Sequence, residues 1–328
     1  MKAIKILTMA ALATAVFASC SNEDGLPQSN YPADNVVRIM TSVDGMNTRA
    51  SYGNSTDKLK SFGFCIKNAN SEKYTYDNIK VSQKGYNWIP ATQMLWQNST
   101  TAVDILAYAP YQETTEDAHG KVKVFGKTDY AFSVQADQSG AEDYSSDLIV
   151  FKQTGFTPVL ELNTSKAVEV AFTHLLSQLN LIIELRDQFN TNNNTVTKGF
   201  VTDVKVNGTI ISSKVDFSAS PISVQVDGTQ TAAITPETTG FTPAENATAH
   251  AVFNYSAIVI PQTVAAGNFS ISFKVNNTEY IWTATDAVTF ESGKKHELHL
   301  LAGKDVVQGG AISAKPWGKE TITEKETD

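Results

Sequence analysis

Short runs in which apolar and polar residues alternate at every second position recur along most of the chain. This period places the apolar side chains on one face of a strand, whereas the 3.6-residue period of an amphipathic helix is nearly absent. The alternation predicts strands at residues 36–43, 62–66, 103–110, 121–125, 130–135, 147–151, 168–172, 179–185, 200–206, 251–260, 269–275, 279–284 and 296–302. Turns rich in Asn, Gly, Ser, Thr and Pro separate them, which predicts an all-β fold built of sandwiches.

Three local patterns refine this prediction. Val37, Ile39 and Val43 share one face of the first strand. Residues 269–284 predict a hairpin, because an Asn-rich turn tolerates positive φ. Residues 174–178 form the one segment in which we expect a helical turn.

A polar segment at residues 187–198 is the best candidate for a linker. It is rich in Asn and Thr and contains a single aromatic residue, so it cannot support a core of its own. We therefore expect an N-terminal β-sandwich domain at residues 50–187 and a C-terminal one at residues 199–328. Residues 20–49 then form a leading segment that contains the first strand.

The first nineteen residues have the pattern of a secretory signal. Lys2 and Lys5 precede an apolar run at residues 6–18, which is too short to span a bilayer as a helix. Ala18 and Ser19 stand directly before Cys20 and resemble a bacterial lipobox, so we expect cleavage before Cys20 and lipidation of its thiol and amine. The alternative is an ordinary signal peptide with an incidental cysteine.

Residues 21–24, Ser-Asn-Glu-Asp, follow the proposed anchor. The acidic part resembles the patch that surface-exported lipoproteins of Bacteroidetes carry after the lipidated cysteine, although a solvated linker would have the same composition. We expect an outer-membrane, surface-exposed lipoprotein. Several acyl chains anchor a protein firmly, since each buried methylene contributes about 0.8 kcal/mol.

Charge and cysteine content narrow the function classes. The formal charge is −8, or about −10 without the two leading lysines, and basic residues do not cluster. This argues against nucleic acid as a partner. If Cys20 is lipidated, Cys65 is left alone and no disulfide can form within the chain.

Candidate catalytic and metal-binding residues do not assemble into a known pattern. His296 and His299 are the most tempting ligands, but on a strand they project to opposite faces and no third ligand is near in sequence. A G-x-S-x-G elbow, a phosphate loop and a calcium loop are also missing from the sequence. We expect neither an enzyme nor a cofactor or metal site.

Several segments, in order, resemble the fimbrillin family of Bacteroidetes, the Mfa-like and FimA-like subunits of type V pili. They are Asn47 to Ser51, Met94-Leu95-Trp96, residues 103–110, residues 146–150, residues 170–179, Ile258 to Gln262, Phe290 to Lys294, and Ile312 to Trp317. The most specific is residues 170–179, Val-Ala-Phe-Thr-His-Leu-Leu-Ser-Gln-Leu. Together they cover nearly all of the chain that follows the signal.

The resemblance implies two tandem transthyretin-like β-sandwich domains and assembly by strand exchange. An Arg-specific protease would remove the first strand, and the groove would accept a C-terminal strand from another fimbrial subunit. Arg49-Ala50 is the expected cleavage site, with Arg38 as the competitor. The sequence offers Val306, Val307, Ile312, Trp317 and Ile322 as apolar donor-strand candidates. The alternative function is a surface lipoprotein that binds glycan and never polymerises.

Overall fold

The computed structural model describes residues 29–43, 58–114, 116–117, 120–121, 123–140, 144–190 and 196–317. Within these ranges the chain is almost entirely β-structure, as the alternation predicts. Helical structure is limited, in these residues, to α1 (Pro158–Glu161) and to 3-10 turns at Glu72–Tyr74, Asp187–Phe189 and Lys198–Phe200.

The strands fall into two runs along the chain. The first run is β1 (Ile39–Val43), β2 (Ser61–Lys67), β3 (Tyr76–Lys84), β4 (Asn87–Pro90), β5 (Val103–Ala109), β6 (Glu116–Asp117), β7 (Gly120–Lys121), β8 (Tyr130–Ser133), β9 (Ile149–Phe156) and β10 (Val168–His174). The second is β11 (Ser177–Leu185), β12 (Val201–Ile210), β13 (Ser212–Asp216), β14 (Ser223–Val226), β15 (Thr231–Ile234), β16 (Glu237–Thr242), β17 (Ala251–Val259), β18 (Gln262–Val264), β19 (Ser270–Val275), β20 (Thr278–Thr283), β21 (Val288–Phe290), β22 (Lys294–Ala302), β23 (Val307–Gly309) and β24 (Ser313–Pro316).

Most predicted strands are present, but two local predictions were wrong. The predicted strand at 121–125 is not formed over that length, because β7 ends at Lys121 and residues 125–126 form a turn. Residues 174–178 are not helical: His174 ends β10 and Ser177 begins β11. The intervening Leu175 and Leu176 are buried, so their burial, rather than a helical period, explains the apolar pair.

The hairpin of β19 and β20 forms as the sequence predicts. Asn276 and Asn277 occupy its turn with φ values of 48° and 68°. Asn tolerates this left-handed region better than other residues with a side chain, which explains the Asn pair. The register then sets Val275 against Thr278 and Phe273 against Tyr280.

One large sheet gathers strands of the first run. Its order is β1-β10-β9-β5-β2-β3-β4, with β1 and β4 at the two edges. One face carries a compact core that includes Phe62, Phe64 and Phe172, all fully buried. Phe62 lies edge-on to Phe172 at 5.3 Å between ring centroids, which fixes β2 relative to β10 across this core.

Two sheets of the second run enclose the other core. One has the order β16-β17-β11-β22-β23, with β24 also on β22, and the other has the order β15-β12-β19-β20. Their apolar residues, among them Leu181, Leu298, Ile271 and Phe273, belong to one buried cluster. Strand β11, before the segment at 187–198, lies in the first of these sheets, and β12, after it, lies in the second.

The two runs are also joined to each other. Strand β8 pairs antiparallel with β13, and Tyr108 and Tyr130 pack against Phe217 at 5.6 and 5.0 Å between ring centroids. Lys152 reinforces the junction, since its Nζ donates hydrogen bonds to the carbonyls of residues 217, 218 and 219, each at 2.8 Å. A charged donor with three acceptors in one turn holds β9 against the end of β13.

We predict that Lys152→Met lowers the free energy of unfolding by about 1.5–3 kcal/mol, the range for hydrogen bonds to a charged group. Urea unfolding followed by tryptophan fluorescence measures the change. Lys214→Met is the matched control, because the Lys214–Asp227 ion pair is exposed and such pairs contribute about 0–1 kcal/mol. Equal losses in the two variants would contradict a special role for Lys152.

Candidate functional site: the first strand and the C-terminal segment

The first strand inserts its apolar face into the core of the large sheet. Val37, Ile39 and Val43 are all more than 90% buried, whereas Met40 points outward and is 47% exposed. The alternation in residues 37–43 therefore follows the pleat of a strand with one buried face. All three buried aliphatics belong to the cluster that contains Phe62 and Phe172.

Strand β1 lies parallel to β10 and supplies most of its hydrogen-bonded neighbours. Ile39 pairs with Val168, and the register continues to Val43 opposite Phe172. On its other side β10 pairs with β9 only at Thr173 and His174, within the described part of the chain. Residues 168–172 of β10 thus depend on β1 as their strand neighbour.

The outer edge of β1 borders a cleft of about 630 Å³. Residues 36–41 form one wall, and Tyr86 together with strand β4 forms the other. Arg38 lies here and forms a 2.7 Å ion pair with Asp34. The hydrogen bond from Arg38 lowers the pKa of Asp34 to about 2, so the pair stays charged at neutral pH.

A segment near the C-terminus lies along the edge of the second sheet. Val307 pairs with Ala302 and Gly309 with Leu300, and β24 then pairs lower on β22, with Ser313 opposite Glu297. Both pairings are antiparallel. We call residues 307–317 the C-terminal segment.

The C-terminal segment is exposed along most of its length. All four residues of β24 are exposed, and Val307 and Ile312 are only partly buried against the core. Gly309 is required for close packing, because a Cβ there would lie 2.2 Å from Nε1 of Trp282. Trp317 is the fully buried member, with 4% of its surface exposed.

Trp317 is held by a stacking contact with His174 at the end of β10. The two rings are 3.9 Å apart between centroids and nearly parallel, at 3°. His174 is oriented by Asp147, whose Oδ1 lies 2.9 Å from Nδ1, and both of these side chains are fully buried. The backbone N–H of Trp317 also donates to the carbonyl of Gly293 at 2.9 Å.

His296 lies beneath the same segment, on β22. Its ring is 1% exposed, and its Nε2 accepts a hydrogen bond from the backbone N–H of Glu291 at 3.0 Å. Burial lowers the pKa of His296 below its ordinary value of 6.5. His299 points to the opposite face and approaches Glu184, so the two histidines diverge as the strand geometry predicts.

The predicted site residues fall into two groups. Cys20, Arg49, Ala50 and Ile322 lie outside the described residues. The other four are described: Val306 is 50% exposed, Val307 and Ile312 are partly buried, and Trp317 is buried. The sequence did not reveal the contact of Trp317 with His174, because the two residues are far apart in the chain.

Two searches of the described residues bear on other kinds of site. No group of three or more His, Cys, Asp or Glu side chains in these ranges is arranged to hold a metal ion. In the same ranges we find no helix of the length and hydrophobicity needed to cross a membrane.

Comparison with known proteins decides the family. A sequence model described as fimbrillin-like matches residues 48–317, which is most of the chain. The chain belongs to the fimbrillin-like family. No protein of curated function matches this sequence significantly.

Solved structures of similar fold support the same architecture. A putative cell adhesion protein from Bacteroides uniformis has a TM-score of 0.56 at 17% identity, covering 87% of this chain and 99% of that one. One from Bacteroides ovatus has a TM-score of 0.59 at 13% identity, covering 87% and 98%. A fimbrial protein from Bacteroides vulgatus has a TM-score of 0.52 at 17% identity, covering 85% and 99%. At these identities the likeness is one of fold.

We predict that protonation of His296 destabilises the sheet that carries the C-terminal segment. The folded-state pKa is depressed, so the stabilisation is complete above about pH 6.5 and is lost as the pH falls below that value. The free energy of unfolding should therefore decrease from pH 7 to pH 5. Urea unfolding at several pH values measures this slope.

The variant His296→Gln is the control, since glutamine does not titrate in this range. Its slope between pH 7 and pH 5 should be shallower than that of the wild type. Equal slopes would show that other groups account for the pH dependence.

Proposed function

We propose that this protein is a structural subunit of a cell-surface type V pilus that assembles by strand exchange and mediates adhesion. It is exported as an outer-membrane lipoprotein anchored through Cys20. An Arg-specific protease cuts after Arg49 and removes the first strand. The vacated groove then accepts the C-terminal segment of another subunit, either a second copy or an accessory pilin. Membership of the fimbrillin-like family supports a pilus or adhesion role.

The observation that carries the proposal is the position of β1. It occupies an edge of the large sheet, and together with Val37 just before it inserts three aliphatic side chains into the core. At roughly 1.5–3 kcal/mol for each buried aliphatic, its removal forfeits about 4–9 kcal/mol and leaves a strand edge of β10 open. Such a groove binds an incoming strand strongly, because the strand restores both the apolar contacts and the backbone hydrogen bonds.

The C-terminal segment has the properties of a donor strand. It is extended, it pairs through one edge only, and most of its side chains are exposed. Its apolar residues, Val307, Ile312 and Trp317, are the side chains that could fill pockets in a second subunit. In the isolated subunit the segment pairs with its own β22. This pairing keeps it ordered until the groove of another subunit is available.

Of the two candidate cleavage sites, Arg38 lies within the described residues and Arg49 lies outside them. The carbonyl of Arg38 accepts a 2.8 Å hydrogen bond from the N–H of Val168, and the strand β1 begins at the next residue. A protease needs an accessible, extended substrate, which a paired backbone does not offer. Cutting at Arg38 would also leave β1 in the groove. These points support Arg49 as the processing site.

We predict that Arg49→Ala blocks maturation, whereas Arg38→Ala does not. In the native host, mass spectrometry of the surface-shed protein should find Ala50 as the N-terminus in the wild type and in Arg38→Ala. The Arg49→Ala protein should retain its first strand and remain monomeric. Polymers that still contain residues 20–43 would contradict the proposal.

We predict that tying the C-terminal segment to β22 prevents polymerisation. Glu297 and Ser313 face each other on antiparallel strands and are both exposed. Facing residues in such a pair have Cα atoms about 4.5–5.5 Å apart, which suits a disulfide. The variant Glu297→Cys/Ser313→Cys should be processed but form no ladders on mild-denaturant gels, and dithiothreitol should restore them.

A second engineered disulfide serves as the control. Ser61 and Ser82 face each other on β2 and β3 of the large sheet, away from the C-terminal segment. The variant Ser61→Cys/Ser82→Cys should polymerise with or without reductant. If the Glu297–Ser313 disulfide leaves polymerisation intact, the donor strand is a different part of the chain.

A further inference from the structure

Trp317 is the one residue of the C-terminal segment whose side chain is fully buried. Residues 307–316 are exposed or half-buried, and their strands pair with β22 through one edge. Trp317 ends the segment with a buried, stacked contact on His174. This contact therefore adds to the pairing with β22 and to the packing of Gly309 on Trp282 in keeping the segment docked.

The contact is also only moderately strong. Nε1 of Trp317 is buried and has no hydrogen-bond partner among the described residues. A buried donor without a partner costs about 1–3 kcal/mol, which offsets part of the gain from stacking. The docked state is therefore less stable than the burial and stacking of Trp317 alone would make it.

His174 belongs to the strand that β1 supports. It follows Phe172 by two residues, and Phe172 is the last residue of β10 that pairs with β1, opposite Val43. Strand β9 holds β10 only at Thr173 and His174, and the N–H of Leu175 adds one hydrogen bond to the carbonyl of Leu148. Without β1, residues 168–172 lose their strand neighbour, and the backbone that carries the imidazole is held by this short pairing with β9, while Asp147 still contacts the ring.

We propose that β10 couples the two ends of the chain, so that loss of the first strand weakens the His174–Trp317 contact and frees the C-terminal segment. The role of this coupling rests on the proposed function. In a subunit that assembles by strand exchange, it would make the groove and the donor strand available together. A subunit that keeps its first strand holds its donor on its own sheet. His174 and Trp317 act here as positioning residues, because neither lies in the groove that β1 fills.

Hydrogen exchange of the full chain, read by mass spectrometry on peptides covering residues 307–317, tests the coupling. Val43→Ala weakens β1 next to His174, and Val81→Ala removes the same atoms from β3, which is not a neighbour of β10. We expect Val43→Ala to raise exchange in the C-terminal segment about tenfold and Val81→Ala to raise it less than twofold. Equal effects of the two variants would overturn the coupling.

A double-mutant cycle shows whether the effect passes through Trp317. Trp317→Ala alone should raise exchange in residues 307–316, and adding Val43→Ala should raise it no further. If the two effects multiply, β1 acts on the segment by another route and the proposed contact is not the link. Trp317→Phe should retain most of the coupling, since a phenyl ring can still stack on the imidazole.

The hydrogen-exchange result tests the coupling separately from the proposed function, because exchange is measured without polymerisation. If the coupling is found but the wild type never forms polymers, the proposed function fails and the coupling stands. If Val43→Ala leaves exchange unchanged while the Glu297–Ser313 disulfide blocks polymerisation, strand exchange stands and the coupling is wrong.

Discussion

The parallel pairing of β1 with β10 is the contact on which the organisation of this molecule depends. Strand β10 lies between two unequal neighbours, with five residues paired to β1 and two paired to β9. Its side chains Val168, Val170 and Phe172 are fully buried in the first core. A strand so placed needs both neighbours to keep its register, so an edge strand contributes to the stability of the strand inside it.

Strand β10 also marks the transition between the two cores. After His174 the chain passes through Leu175 and Leu176, both buried, and enters β11, the central strand of the second large sheet. Leu175 and Leu176 belong to the second cluster, whereas Phe172 belongs to the first. Only Thr173 and His174 lie between Phe172 in the first cluster and Leu175 in the second. A small shift of β10 therefore moves the start of β11 and the residues that contact it. One of these is Gly293, whose N–H donates to the carbonyl of Leu176.

The sequence predicts the strands well because alternation is a local property. The burial of Val37, Ile39 and Val43 and the positive φ of Asn276 and Asn277 follow from patterns within a few residues. What cannot be predicted in this way is pairing between distant segments. Strand β11 reads as the end of a first domain, yet it pairs with β17 and β22. The pair of leucines after His174 suggests a helical turn in the sequence. In the structure they are buried where the chain passes from β10 in one sheet to β11 in another.

The candidate site shows the same division between local and distant information. The sequence predicts the apolar face of β1 and the polar, extended character of the C-terminal segment. The stacking of Trp317 on His174 is not, because it joins residues from opposite halves of the chain. A histidine after a strand and a tryptophan near a polar tail each have an ordinary local interpretation. Only the fold shows that one supports the other.

The parallel register of β1 has a consequence for the order in which the molecule folds. Ile39 is synthesised long before Val168, its partner, and contacts between residues so far apart in sequence form slowly, because the closure of a long loop must precede them. The first strand is thus synthesised early and docks on β10 late. Until β10 is made and pairs with it, the apolar face of the first strand has no core to enter. In that interval the first strand is an unpaired apolar strand that can pair with a neighbouring chain.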